Sequence, residues 1–284
     1  MRVVDAHVHF WDPSALRYPW LETEPALRRA YLPPDYLPFA ESEVDAVLFV
    51  EANCVSAQAL AEVDFVDELA EREPRIAGIV AFANMLDEDG LEQALDRIVE
   101  RERVVGVRHN IQGHDAGFCT SPRFVRNVER VGDYGLTFDL CATAAQLDDV
   151  SYLVDSCPET QFVLDHCGKP AIRDDAFESW AKDLASLAEW SNVACKVSGL
   201  LTEARPDQRS LDALRPYLAH VLASFGPMRL LYGSDWPVVM PAGGEASWRE
   251  MVASFAATLP PADQQRLFAD NAMRLYGLEL HAHR

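Results

Sequence analysis

The sequence predicts an α/β fold: a single, distorted (β/α)8 TIM barrel spanning residues 1–284, with a long proline- and aromatic-rich loop after its first strand. Three observations predict it. Eight short apolar segments alternate with longer amphipathic ones, which calls for parallel strands joined by helical crossovers. The 284 residues accommodate eight such units, as a barrel of roughly 250 residues does. The glycine-rich phosphate turn that usually follows the first strand of an open doubly wound sheet is absent.

Strands are expected at 3–8, 46–51, 76–82, 104–109, 136–140, 161–165, 193–197 and 229–234. Each is short and rich in Val, Ile, Leu or Phe, as a strand buried on both faces must be. Between them, Leu211, Leu214, Leu218, Val221, Leu222 and Phe225 fall on one helix face. Trp180, Leu184, Leu187 and Ala188 form a second stripe. Segments 57–72, 90–102, 121–133, 143–156 and 246–258 also read as helices, and a last helix over 262–276 ends at Gly277. Pro74 and Pro158 stop two of them, because proline cannot continue the hydrogen-bond ladder. Residues 10–38 differ in kind. They carry Trp11, Tyr18 and Trp20 among Pro13, Pro19, Pro25, Pro33, Pro34 and Pro38. A loop this long is usually functional or disordered, and its aromatics argue for packing, so it is expected to cover the barrel mouth.

Composition narrows the partners. With 25 Lys and Arg against 45 Asp and Glu, the net charge is −20, and no basic run offsets it. Such a field repels nucleic acid and anionic membranes, leaving a small molecule as the expected partner. The six cysteines include no Cys-x-x-Cys pair, and a chain this long needs no disulfide framework. All six are read as thiols in a reducing compartment. The start, Met1-Arg2-Val3-Val4-Asp5, lacks an apolar leader core. No stretch approaches the ~20 apolar residues of a membrane span, so a cytoplasmic protein is expected. Oligomeric state leaves no trace in the sequence.

Chemistry gathers at strand ends. In Asp5-Ala6-His7-Val8-His9, alternation puts His7 and His9 on one face. Two imidazoles so placed suit two ligands of one metal ion, or one ligand and one hydrogen-bond donor. His166 follows the sixth apolar run and Asp235 the eighth, where barrel enzymes keep reactive groups. Each has a plain alternative: His166 as a hydrogen-bonded core histidine, Asp235 as a turn former before Pro237. Their shared placement at strand ends favours one site.

Four motifs carry a resemblance. They are Asp5-Ala6-His7-Val8-His9-Phe10-Trp11-Asp12-Pro13, Val163-Leu164-Asp165-His166-Cys167-Gly168-Lys169-Pro170, Cys195-Lys196-Val197-Ser198-Gly199-Leu200 and Tyr232-Gly233-Ser234-Asp235-Trp236-Pro237-Val238. Together with Gly106-Val107-Arg108-His109-Asn110-Ile111-Gln112, they resemble the amidohydrolase superfamily over about residues 3–277. Within it they look most like the sugar-lactone hydrolases typified by L-fuconolactonase and L-rhamnonolactonase, with 2-pyrone-4,6-dicarboxylate lactonase more distant.

The resemblance implies hydrolysis of a sugar-acid lactone, such as a fucono-, rhamnono- or galactonolactone, with Asp235 activating water and His166 beside it. It implies His7, His9, His166 and Asp235 as ligands of one Zn²⁺ or other divalent metal. Metal-free catalysis, with the histidines donating to the carbonyl oxygen, also fits a lactone. The two-metal members carry a fourth-strand lysine and a fifth-strand histidine. Here the fourth strand ends Arg108-His109 and the fifth reads Leu136-Thr137-Phe138-Asp139-Leu140-Cys141, so a second metal is not expected.

Arg108 or His109 is expected to bind substrate, and alternation allows only one to point inward. Lys196 is a further substrate-binding candidate; if buried it needs Asp139 or Glu51 as partner. Trp11 and Trp236 are candidates to stack on a sugar ring, and Lys169 reads as a surface residue. The same resemblance admits a metal-dependent decarboxylase or a hydrolase of another cyclic ester. A catalytically idle sugar-acid binding protein is the reading of a different class.

Overall fold

Eight parallel strands lie side by side in chain order in the computed structural model, which describes residues 1–87 and 89–279. They are β1 Val4–Val8, β2 Ala46–Val50, β3 Ile76–Phe82, β4 Val104–Arg108, β5 Thr137–Leu140, β6 Phe162–Leu164, β7 Val193–Val197 and β8 Leu230–Tyr232. Each agrees with the sequence reading to within two residues, because a strand buried on both faces announces itself as an unbroken apolar run. Glu88 and positions 280–284 of the expected 1–284 span lie outside the described residues.

Helices Ala59–Arg72, Leu91–Val99, Pro122–Asp133, Leu147–Ser156, Phe177–Leu187 and Leu211–Phe225 join the strands, and Glu245–Ala256 follows β8. Leu214, Leu218, Val221 and Phe225 are buried, as the stripe predicts. Ser121 and Ser210 cap their helices by accepting from Phe124 N and Ala213 N. The last expected helix is not uniform. It runs as Pro261–Gln265, a π-helical turn over Arg266–Asp270, and Asn271–Tyr276, and it ends at Gly277 in the left-handed region. That segment fills the lower end of the barrel, where Ala269, Ala272, Tyr276 and Leu278 pack with Val4, Ala6, Leu48 and Leu231.

The sheet closes at its upper end. Asp235 N donates to His7 O at 2.9 Å and His9 N to Trp236 O at 2.8 Å, which ties the chain after β8 to β1. A register shift between Asp5 and Val8 interrupts the β1–β2 ladder around His7. The long loop is built as expected, as a cover. Short turns open at Pro19, Pro25 and Pro33, whose fixed φ suits the first position of a turn. Trp11 and Tyr31 exchange backbone hydrogen bonds of 3.0 and 2.8 Å. No helix among the described residues is long and apolar enough to cross a membrane.

Candidate active site

The upper end of the barrel opens into a cavity of about 450 Å³, within the usual range of small-molecule sites. His9, His166 and Asp235 line it, with Arg108. His7 lies immediately beneath. Its Nε2 is 3.2 Å from His9 Nε2 and 3.7 Å from Asp235 Oδ1, and His9 Nε2 is 3.4 Å from that same oxygen. His7, His166 and Asp235 offer ligand atoms within 4.8 Å of one another.

The other nitrogen of each ring is engaged. His7 Nδ1 donates to Asp165 Oδ1 at 3.1 Å and His9 Nδ1 to Val50 O at 2.7 Å. Those bonds set the tautomer and leave Nε2 as a lone pair on both rings. His166 Nδ1 pairs with Ser198 Oγ at 2.9 Å, leaving its Nε2 free. Burial pushes the His166 imidazole down to about 4 and His7 well below its ordinary value, so both are neutral near pH 7. Burial alone would raise Asp235. The surrounding His166, His9 and His7 rings outweigh it and hold the carboxyl well below the usual range.

Two unprotonated ring nitrogens and a carboxylate oxygen therefore face each other without an intervening hydrogen. Electron-rich atoms so placed call for a cation. Their separations match the edges, about 3.3 Å, of a tetrahedron with arms of about 2.0–2.1 Å. The residues present thus fit one divalent ion. A second cluster, Cys141, Asp165 and His166, fits poorly. Asp165 already accepts from His7 and Lys196 on Oδ1 and from Arg108 on Oδ2, and burial raises the Cys141 thiol to about 12.

Local strain accompanies the site. His166, Cys167, Lys169 and Asp235 all have positive φ, between 44° and 61°, a conformation costing non-glycine residues of order 1–3 kcal/mol each. Gly199 is required beside them. A Cβ there would lie 2.7 Å from the Cβ, Cγ and Nδ1 of His166.

Alternation resolves the choice at β4. Arg108 turns inward, donating to Glu51 Oε1 at 2.7 Å and to Asp165 Oδ2 at 3.0 Å. His109 turns outward among Phe82, Phe118 and Phe124, accepts from Met85 N and does not line the cavity. Further expectations need correction. Lys196 is fully buried below the cavity and pairs with Asp139 and Asp165. It meets no open space in which to bind substrate. Trp236 is buried against Phe10, Tyr31 and Tyr36 and is no ring platform. Trp11 borders the cavity with its Nε1 donating to Arg29 O, but it too is fully buried and presents no open ring face. Lys169 is not a plain surface residue: it lines the cavity and pairs with Glu203 at 3.1 Å.

Several residues escaped the sequence reading. Trp20, Asn53, Asn110, Gln112, Arg173 and Arg209 line the cavity from loops, where side-chain direction has no period to read. Asp165 is the buried centre of the charge network, held well below the ordinary carboxylate range: burial opposes this, while Lys196 and His7 impose it. Its signal was present, since alternation through Val163 points it inward. Asp5 accepts from Ser234 N at 2.8 Å and Tyr36 Oη at 2.7 Å, joining β1, the β8 loop and the cover.

Comparison with known proteins agrees with this fold. The L-fucono-1,5-lactonase of Burkholderia multivorans is 33% identical over 291 positions, covering 97% of this chain and 96% of that protein. A 4-sulfomuconolactone hydrolase of Rhizobium radiobacter is 28% identical, covering 96% and 89%. A crystal structure of a Burkholderia multivorans amidohydrolase with bound zinc has a TM-score of 0.87 at 30% identity, covering 98% of this chain and 100% of that one. The amidohydrolase family itself matches residues 4–278. The chain belongs to the amidohydrolase family.

Proposed function

We propose that this protein hydrolyses a sugar-acid lactone to the open-chain acid. The observation that carries this reading is the convergence of neutral imidazoles and ionised Asp235 at the floor of a cavity walled by Trp20 and by the amides of Asn53, Asn110 and Gln112. Indole faces suit the apolar side of a sugar ring, and amides match hydroxyls as both donors and acceptors. Relatives named as lactonases support the same reaction.

His7, His9, His166 and Asp235 are the residues that would hold one divalent ion, such as Zn²⁺. Bound there, it would lower the pKa of a water to about 7 and polarise a carbonyl. Asp235 accepts the proton of the attacking water. Water oxygen bonds to the lactone carbon, the ring C–O bond breaks, and the proton passes to the departing ring oxygen. Asp235 carries it from the one oxygen to the other. Arg108 holds the Glu51 and Asp165 carboxylates in place with its donors.

Product analysis tests the reaction. Purified protein given a stereochemically complete set of aldonolactones should yield acid, read by a pH indicator, with the mass of one added water. Carbon dioxide release without ring opening would mean a decarboxylase instead. Elemental analysis should find one divalent ion per chain, and two tightly held ions would contradict the assignment.

A further inference from the structure

We infer that Arg173 and Arg209 form an anion subsite at the cavity rim, and that the lactone opened here carries a carboxylate remote from its reacting carbonyl. The inference deepens the lactonase reading and rests on it for the word lactone.

The cavity is lined by four cations, Arg108, Lys169, Arg173 and Arg209, against two carboxylates, Glu24 and Asp235. Two of the cations are neutralised. Arg108 pairs with Glu51 and Asp165, and Lys169 with Glu203. Among the described residues, Arg173 and Arg209 pair with no carboxylate. Arg173 Nη2 donates to Thr202 O at 2.9 Å and its Nε to Glu203 O at 3.4 Å. Arg209 Nε donates to Leu201 O at 3.1 Å and Ala204 O at 3.2 Å.

These bonds have two consequences. They anchor both guanidinium groups on the carbonyl end of the helical turn Leu200–Glu203, so the charges are held in place. They also leave the charges uncancelled, because a neutral carbonyl engages a donor without opposing the charge. Both Nη groups of Arg209 and Nη1 of Arg173 remain free to donate. Capping that turn does not require two arginines facing a cavity. Nor are carboxylates scarce nearby, since Arg205, between them in the same loops, pairs with Asp175 and Asp207.

Charge on the larger scale points the same way. A molecule of net charge −20 repels anions, so an anionic substrate is captured only where local positive charge reverses the field. The two arginines come from the loops after β6 and β7, whereas Glu24 comes from the cover, so the positive side of the rim is distinct. A guanidinium matches the planar, two-oxygen carboxylate better than it matches a hydroxyl. The class that fits is the monolactone of a sugar diacid: the ring carbonyl at the His7, His9 and Asp235 floor, the free carboxylate at the rim.

The test compares lactones differing only at the exocyclic carbon. Galactarolactone and glucarolactone carry a carboxylate where galactonolactone and gluconolactone carry a hydroxymethyl group. The carboxylated partner should have kcat/KM on the order of tenfold higher or more, an advantage that shrinks as salt is raised. Arg209→Gln and Arg173→Gln should each cut that ratio about 10- to 100-fold, mainly through KM, and Arg209→Lys should restore part of it. A ratio at or below one, or a ratio untouched in both variants with unchanged melting temperature, overturns the subsite while leaving the lactonase reading intact. Calorimetric titration with galactarate and galactonate separates the two claims if no lactone is opened. Tighter galactarate binding that Arg209→Gln abolishes keeps the subsite and sinks the lactonase reading, and equal affinities sink the subsite.

Discussion

Asp165 decides the state of the residues around it. It is ionised because Lys196, His7 and Arg108 surround it, and it accepts from all three. By holding the proton on His7 Nδ1, it turns the Nε2 lone pair toward His9 and Asp235. Lys196 in turn sits between Asp165 and Asp139, with all three fully buried. Lys196→Met should therefore cost about 3–5 kcal/mol, since it leaves buried Asp139 without its cation and Asp165 with Arg108 alone. Urea unfolding of the two proteins measures it, and a loss under 1 kcal/mol would mean the network relaxes freely. Gly199→Ala should abolish measurable ring opening while the chain still folds. Its Cβ would meet the His166 ring at 2.7 Å, and its φ is +71°. Full activity in that variant would show that His166 is not needed where it stands.

At the scale of elements, the strands were legible because burial on both faces leaves a largely apolar run, as in Ala46–Val50. The site's floor was legible for a related reason. His7, His9, His166 and Asp235 stand at strand ends, where position along the chain converts directly into position in the barrel. The rim was not. Arg173 and Arg209 reach the cavity from loops, and no periodicity tells a loop residue where to point. Trp236 misled because it stands beside Asp235 in sequence yet packs under the cover with Tyr31 and Tyr36. The uneven last helix also went unread, since a π-helical turn has no marker as plain as Pro or Gly. That segment does more than end the chain. Tyr276 Oη donates to Asp139 at 2.8 Å, linking the lower plug to Lys196 and so to Asp165. Tyr276→Phe should lower stability by about 1–3 kcal/mol by leaving a buried acceptor short of a donor. A variant with the wild-type unfolding midpoint would show that the hydroxyl is dispensable.

For the whole molecule, acidity and burial together set the pH response. Burial raises the Glu62 carboxyl from its usual value of 4.5 to about 8, and neighbouring Glu51 adds to the shift. Between those pH values the native state keeps a proton that the unfolded chain has lost, so this group's contribution to stability falls as pH rises through the window and levels off above it. Glu62→Gln retains an acceptor for Ala52 N and removes the titration. Its melting temperature should gain on the wild type steadily from about pH 5 to pH 8; parallel curves would mean that Glu62 is ionised when folded. The claim on which the rest depends is that Asp235 and the three histidines are one hydrolytic centre. The most direct measurement is the rate of lactone ring opening by wild type and Asp235→Asn side by side, each folded and matched for metal content. A rate loss of about 100-fold or more in the variant is predicted. Equal rates would contradict the assignment of Asp235 as the group that takes the proton from water.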